Sequence, residues 1–114
     1  MVKVSTVDIG GEVVKEDDRY VVKDNKLLKN LILSSTKLNP SKSTSGHKHG
    51  GQEEIYIFLD GHGTMDLGEK TIDVEKGDVV LIEDGVFHRV HASEAGCEFM
   101  CVFDGQRYDH VAVL

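Results

Sequence analysis

The sequence predicts an all-β protein whose strands form an antiparallel sandwich or barrel. Short stretches rich in valine, isoleucine, leucine and aromatic residues recur at nearly regular spacing, and glycine-rich turns separate them. No stretch keeps a helical period for more than a turn or two. A chain of 114 residues is long enough for one hydrophobic core but not for two, so residues 1–114 are expected to form a single domain.

Three β-rich segments come first in the chain. Residues 2–7 and 20–23 lie on either side of the charged run at 15–19, which is typical of a solvated turn. Residues 27–38 contain leucines at helical spacing, but β-branched residues and polar alternation favour a strand. A polar loop at 39–46, which contains the only proline, follows this strand.

The second half of the chain predicts short strands joined by tight turns. Asp60-Gly61-His62-Gly63 is turn chemistry that permits positive φ, and Gly68-Glu69 suits a two-residue hairpin. The predicted strands are residues 54–59, 64–67, 70–74, 79–82, 87–91 and 98–103, and a short apolar tail occupies 111–114.

The composition argues against several classes of partner. With 20 acidic residues against 13 basic ones, the formal net charge of -7 repels phosphate backbones, so no nucleic acid partner is expected. No apolar run approaches the length of a membrane helix, and residues 1–11 lack the apolar centre of a signal peptide. We therefore expect a cytoplasmic protein without a membrane partner.

The two cysteines, Cys97 and Cys101, lie in one predicted strand. Four strand residues span roughly 13 Å, which is too far for a disulfide between them. The favoured interpretation is two small buried hydrophobic residues. The alternative is a thiol that lines a pocket, because both cysteines share a strand face with Phe99 and Phe103.

Two histidines one residue apart, His47 and His49, are the main chemical signal in the sequence. In an extended segment they point to the same side and can share one metal ion. In an unbroken strand Glu53 would join them, whereas a turn or bulge at Gly50-Gly51 would bring in Glu54 instead. The strand pattern alone does not decide which of the two glutamates joins the histidines as a metal ligand.

These histidines belong to the first of two motifs that resemble those of the cupins. The first motif consists of a glycine, two histidines around one residue, a glutamate and a later glycine. In this sequence the corresponding residues are Gly46, His47, His49, Glu54 and Gly61. The second is matched by Gly77, Gly85 and His88, while Glu83 replaces its proline and Ala92 replaces its asparagine. Together the two motifs span residues 46–92.

The resemblance favours Glu54 over Glu53, because Glu54 stands seven residues before Gly61. It implies a small antiparallel jelly-roll β-barrel, the cupin double-stranded β-helix, with a metal ion inside. The implied metal ligands are His47, His49, Glu54 and His88. Three imidazoles and one carboxylate suit a divalent first-row transition metal, namely Fe, Mn, Ni, Co or Zn, and leave coordination positions open for a substrate.

Tyr56 and His62 are the candidate catalytic residues. Tyr56 shares a strand face with Glu54 and would point into the barrel, where packing in the core is its alternative role. His62, which lies between two glycines, could reach the mouth of the cavity. His91 would face away from the ligands and is expected on the surface or behind them.

The resemblance implies a metal-dependent enzyme that acts on a small polar chelating substrate, of the sugar or sugar-phosphate isomerase or epimerase type. An Fe(II)-dependent dioxygenase is one alternative, because the open metal positions can bind substrate and oxygen. A non-catalytic cupin that binds a small ligand is the other. Cupins commonly pair as homodimers, and the N-terminal strands in residues 1–26 are expected to cover an edge of the partner's sheet.

Overall fold

The computed structural model describes residues 2–48 and 50–105, and within them seven antiparallel strands form one sheet. The strands are β1 (Glu12–Glu16), β2 (Tyr20–Asn25), β3 (Leu31–Leu38), β4 (Glu54–Leu67), β5 (Lys70–Glu75), β6 (Val79–Ile82) and β7 (His88–Asp104). Their hydrogen-bonded order is β1-β2-β3-β7-β4-β5, with β6 paired to β4. The predicted all-β antiparallel fold is confirmed. The sheet does not close on itself, because β1 and β5 at the two ends of this order are not paired with each other. Nothing in the described part of the chain forms a helix with the length and apolar character needed to cross a bilayer.

The two longest strands, β4 and β7, form the centre of the sheet. Glu54 pairs with Phe103 at one end, and Leu67 pairs with His88 at the other. The register shifts twice along this pairing. The prediction of a turn at residues 60–63 is wrong, because β4 continues through them. The strand β7 likewise joins two predicted strands into one.

Two glycines explain why β4 continues without turning. A Cβ on Gly61 would overlap the carbonyl oxygen of Gly96, and a Cβ on Gly63 would overlap that of His91. Gly61 also has a φ of 73°, which favours glycine. The glycines that suggested a turn in the sequence therefore allow two bulges, at which the backbones of β4 and β7 approach closely.

The N-terminal region differs from its prediction in two places. Residues 2–7 do not form a strand, because Ser5 Oγ accepts a hydrogen bond from the Val7 N–H at 2.9 Å and turns the chain. The charged run at 15–19 is not a turn throughout, since its first two residues complete β1. The strand β1 lies at the edge of the sheet, where charged side chains remain in water.

The strand predicted at 27–38 begins only at Leu31. Leu27 and Leu28 remain 63% and 66% exposed, so the leucines at helical spacing belong to a connecting segment rather than to the core. The strand β2 pairs with β3 along its whole length. The N-terminal hairpin therefore extends the sheet of its own chain.

The buried face of the sheet is apolar and aromatic. The ring of Tyr56 stacks on Phe99 with centroids 5.2 Å apart, and Phe58 lies 5.3 Å from the same ring. Cys97 and Cys101 are both buried on this face, so they pack as core residues. Burial raises the pKa of the Cys97 thiol to about 11, which keeps it protonated at neutral pH.

Candidate metal centre

His47 and His88 are brought together by the backbone. The two residues form an isolated antiparallel bridge, in which the His47 N–H donates to the His88 carbonyl at 3.2 Å and the His88 N–H donates to the His47 carbonyl at 2.9 Å. Their rings meet edge to face, with centroids 4.2 Å apart. Both side chains are buried, so the pair lies inside the protein.

Glu54 enters the same interior because the chain turns at Gly50 and Gly51. Gly51 has a φ of 79°, and its N–H donates to the Asp84 carboxylate at 2.5 Å. Beyond this turn the side chain of Glu54 is buried, while that of Glu53 is exposed. Of the two glutamates that local sequence physics leaves open, Glu54 is therefore the one that faces the interior.

Three donor groups converge inside the barrel. One ligand atom from each of His47, Glu54 and His88 lies within 4.8 Å of the others. Nε2 of His88 is 3.5 Å from Oε2 of Glu54, and each of these two side chains is 2% exposed. Two donors that bind one ion at about 2.1 Å each stand at most about 4.2 Å apart. A small inward shift would thus suffice, and the donor set fits a divalent transition metal.

The orientation of the His88 ring is fixed by a backbone carbonyl. Nδ1 of His88 lies 2.9 Å from the carbonyl oxygen of Val86. Because a carbonyl only accepts, Nδ1 carries the hydrogen, and Nε2 of the neutral ring offers its lone pair on the side of Glu54. Such a carbonyl behind a histidine is the usual support of a metal-binding imidazole.

The other predicted site residues fall into three situations. His49 lies outside the described residues, so its role as a fourth ligand stays a prediction. His62 is exposed, with Nε2 3.4 Å from Ser93 Oγ, and the structure does not group it with the three donors. Tyr56 is 4% exposed, and its ring centroid lies 5.6 Å from that of His88. Of the two candidate catalytic residues, only Tyr56 lies beside the donors.

A small cavity lies beside Glu54. Its volume is about 10 Å³, roughly the space of one water molecule. Its wall consists of Tyr20, Val22, Ser34, Thr36, Thr44, Glu54, Tyr56, Phe99, Cys101 and Phe103. Cys101 is thus part of the cavity wall, as the alternative interpretation of the cysteines expected.

The two hydroxyl residues that β3 adds to this cavity were missed from the sequence. Ser34 and Thr36 alternate on β3 with side chains that are 3% and 7% exposed, and Thr44 comes from the loop before His47. Their signal in the sequence is the polar alternation of β3. A strand that faces water and a strand that lines a polar cavity give the same alternation, so the signal is ambiguous without the fold.

His91 faces away from the three donors, as its spacing from His88 predicts. Its Nδ1 lies 2.7 Å from Ser43 Oγ, and its Nε2 lies 2.8 Å from Asp66 Oδ2. The ring is therefore engaged on both sides by residues outside the metal centre. Asp66 was not singled out from the sequence.

Comparison with known proteins identifies the family. The profile of the cupin domain matches residues 35–103, which is more than half of the chain. The oxalate-binding protein of Thermotoga maritima is 30% identical over 94 residues, a match that covers 82% of this chain and 78% of that protein. A protein of Methanocaldococcus jannaschii is 29% identical over 82 residues, which cover 62% of this chain and 66% of its own length.

Solved structures share the architecture. KdgF from Halomonas sp. superposes with a TM-score of 0.75 at 16% identity, covering 88% of this chain and 91% of that chain. An oxalate decarboxylase from Bacillus subtilis gives a TM-score of 0.77 at 20% identity, covering 88% of this chain but only 29% of that longer one. At such identities the similarity shows the fold alone. The chain belongs to the cupin family, and its all-β fold is the jelly-roll barrel of that family.

Proposed function

We propose that the interior of this cupin binds one divalent transition-metal ion, and that the bound ion holds a small chelating carboxylic acid of the oxalate class. The observation that carries the proposal is the convergence of His47, Glu54 and His88 in a buried position. His49 is proposed as the fourth ligand, because it stands two residues after His47 in the first cupin motif. The identity of the ion is left open among Fe, Mn, Ni, Co and Zn.

The protein contributes a fixed donor set with a single negative charge. Three neutral imidazoles and the Glu54 carboxylate would leave a divalent ion with about one positive charge, which attracts an anion. When bound, the ion supplies open coordination positions for oxygen donors. The Val86 carbonyl holds the His88 ring so that Nε2 is on the side of Glu54 before any ion arrives.

The size and lining of the cavity favour a ligand with few atoms. Its volume of about 10 Å³ is roughly that of one water molecule, so the wall must move for any organic ligand, and it must move less for oxalate than for a sugar phosphate. The hydroxyls of Ser34, Thr36 and Thr44 can donate hydrogen bonds to a carboxylate. A relative that is 30% identical carries the name oxalate-binding protein, which supports this class of ligand.

Calorimetry on metal-stripped protein reloaded with Mn, Fe, Co, Ni or Zn tests the proposal. We expect oxalate to bind the loaded protein and not the stripped protein, and His88→Ala to lose both metal and oxalate. His62→Ala is the matched control, because this imidazole is exposed and lies away from the donors. Oxalate that binds equally well without metal, or a loaded protein that ignores oxalate, would contradict the proposal.

A catalytic function is the second candidate, and the position of Tyr56 favours it. Tyr56 is buried and lines the cavity together with Glu54. A phenol in such a place could move a proton to or from a bound ligand. His62 is the weaker candidate for a second proton carrier, because its side chain is exposed on β4 and is not grouped with the three donors.

Turnover assays separate the types of reaction. A sugar or sugar-phosphate isomerase or epimerase converts one sugar into its isomer, whereas an Fe(II)-dependent dioxygenase consumes oxygen with iron but not with zinc. We expect Tyr56→Phe to lose any such turnover while it retains the metal. Ligand binding without a product in either assay would leave the non-catalytic function.

We also propose that two copies pair through an apolar face of the sheet. Leu81 pairs with Ile55 and Val79 with Ile57 across β6 and β4, and all four point away from the barrel interior. Leu81 and Val79 are 72% and 57% exposed. Because each copy carries a formal charge of -7, this uncharged patch is the surface on which two copies meet with little repulsion.

Sedimentation tests this pairing. Leu81→Glu should convert a dimer into a monomer, because it places a charge at the centre of the patch. Deletion of residues 1–16, which removes β1, tests the alternative that the N-terminal strands in residues 1–26 cover an edge of the partner's sheet. A dimer that survives Leu81→Glu but not the deletion would favour the N-terminal region, and a monomeric wild type would contradict both.

A further inference from the structure

A serine, a histidine and an aspartate form a hydrogen-bonded row outside the metal centre, which we call the surface triad (Ser43, His91 and Asp66). Ser43 Oγ lies 2.7 Å from Nδ1 of His91. Nε2 of the same ring lies 2.8 Å from Asp66 Oδ2. These are the order and spacing of a nucleophile, a general base and the acid that orients the base. The proposed metal function uses none of the three residues.

The chemistry of the groups fixes the protons in the surface triad. A carboxylate only accepts, so Nε2 of His91 carries the hydrogen donated to Asp66. Nδ1 of the neutral ring then accepts from the Ser43 hydroxyl. The hydrogen bond from His91 holds the pKa of Asp66 below its usual range, and the Thr71 hydroxyl donates to the same carboxylate at 3.0 Å. Asp66 is therefore ionised at neutral pH.

Strand pairing holds the surface triad in place. Ser43 forms an isolated antiparallel bridge with His91. His91 lies opposite Thr64 in the pairing of β4 with β7, and Asp66 follows Thr64 by two residues on the same face. The alignment therefore rests on backbone register as well as on the side-chain hydrogen bonds.

The surface triad is more exposed to solvent than the metal donors are. The side chains of His91 and Asp66 are 34% and 28% exposed, and Ser43 is half-buried. The side chains of Glu54 and His88 are each 2% exposed. A small molecule can thus approach Ser43 without entering the barrel.

Arg89 brings positive charge close to Ser43. Its Nε donates to the carbonyl of Thr44, the residue after Ser43, at 2.6 Å. Arg89 also lies opposite Asp66 in the backbone pairing of β7 with β4. A fixed cation next to a nucleophile stabilises the negative charge that develops on the oxygen of an attacked carbonyl.

We propose that the surface triad is a nucleophilic centre that accepts the acyl group of small activated esters. Ser43 Oγ bonds to the carbonyl carbon while its proton moves to Nδ1 of His91. The C–O bond to the leaving alcohol or phenol then breaks, and the leaving oxygen takes that proton. Water, deprotonated by the same base, hydrolyses the acyl-serine to a carboxylic acid and restores Ser43. Asp66 stabilises the imidazolium formed in each half of the cycle.

A second serine and histidine pair supplies a control within the chain. Ser93 Oγ lies 3.4 Å from Nε2 of His62. Among residues 2–48 and 50–105, no carboxylate forms a hydrogen bond or an ion pair with the His62 imidazole. Without an orienting acid, and at a longer distance, Ser93 is expected to be unreactive.

Acetylation by p-nitrophenyl acetate tests the proposal on the full chain, with metal removed by chelation so that a bound ion cannot hydrolyse the ester. We expect a burst of p-nitrophenol, and mass spectrometry should find the acetyl group on the peptide that contains Ser43. Ser43→Ala should lose both signals. Asp66→Asn, which keeps the size of the side chain, should slow acylation at least about tenfold. Ser93→Ala should react like the wild type.

Three outcomes would overturn the proposal. These are a wild type without an acetyl adduct, an adduct on a residue other than Ser43, and a burst that Ser43→Ala retains in full. Circular dichroism of each variant separates loss of the nucleophile from loss of the fold. If Ser43→Ala does not fold, the position of the adduct in the wild type still decides.

Discussion

Two pairs of a histidine and a carboxylate join the same two strands and differ in their burial. In the inner pair, His88 of β7 lies 3.5 Å from Glu54 of β4, and each side chain is 2% exposed. In the outer pair, His91 and Asp66 lie 2.8 Å apart, with side chains that are 34% and 28% exposed. The same residue types thus form two sites whose chemistry is set by distance and burial.

The inner pair suits a cation, and the outer pair suits a polarised hydroxyl. A separation of 3.5 Å is longer than a charge-assisted hydrogen bond, and His47 adds a third donor to the inner pair. Removing the Glu54 carboxylate from water costs free energy that a bound cation would offset. In the outer pair the hydrogen bond is already short, and the second ring nitrogen of His91 faces Ser43.

Alanine at each histidine should separate the two pairs most clearly. His88→Ala should weaken metal binding at least about 100-fold, because the site loses a buried ligand, whereas His91→Ala should change it less than about twofold. Titration calorimetry with zinc measures both. Similar losses of zinc affinity in the two variants would mean that the buried pair is not the one that binds metal.

Metal should stabilise the fold only through the inner pair. At a free metal concentration 100 times the dissociation constant, the free energy of unfolding should rise by about 2.7 kcal/mol. Glu54→Gln should lose this increment and Asp66→Asn should keep it, which thermal unfolding with and without metal can measure. Acid should remove the increment in the wild type, because imidazoles bind metal only when neutral. An increment that Glu54→Gln retains would place the ion elsewhere.

The hydroxyl of Tyr56 should affect the ligand but not the metal. Tyr56 belongs to the cavity wall beside Glu54, so Tyr56→Phe should weaken oxalate binding by about 1 kcal/mol, or roughly fivefold. Zinc affinity should remain that of the wild type, because His47, Glu54 and His88 supply the converging donors. Titrations of metal and of oxalate into the same sample check both values, and a loss of zinc affinity would show that the phenol supports the donors.

The outer pair should contribute a small stability that depends on pH. The hydrogen bond from His91 is the largest cause that lowers the pKa of Asp66 below 3.8 in the folded protein. The Asp66 carboxylate therefore contributes its full stability above pH 3.8, and this stability is lost as the pH falls through the lower pKa of the folded state. Because both groups are about a third exposed, the contribution should be a few tenths of a kcal/mol. Urea unfolding of the wild type and Asp66→Asn should differ at pH 6 and converge in strong acid; a constant difference would assign the effect to packing.

The convergence of His47, Glu54 and His88 was predictable because these residues lie in motifs whose spacing is local. One residue separates His47 from His49, and the turn at Gly50 and Gly51 decides that Glu54 faces inward. The resemblance to cupins made that choice from the sequence, while strand periodicity alone left it open. The all-β class followed similarly from local patterns of apolar residues and turns.

The outer site was not predictable, because it depends on pairing between distant strands. Residues 43 and 91 are 48 positions apart, and residues 66 and 91 are 25 apart. Only the register of β4 with β7 brings them together. The wrong turn at residues 60–63 has the same origin, since the glycines there accommodate the backbone of β7, which no local pattern reveals.

Elemental analysis of protein purified without added metal, and again after reloading, will show whether the buried donors hold an ion. We expect one transition-metal ion per chain in reloaded wild type and in His91→Ala, and almost none in His88→Ala. A wild type that stays empty after reloading would contradict the claim that the buried histidines and Glu54 form a metal site. Full occupancy in His88→Ala would contradict it equally.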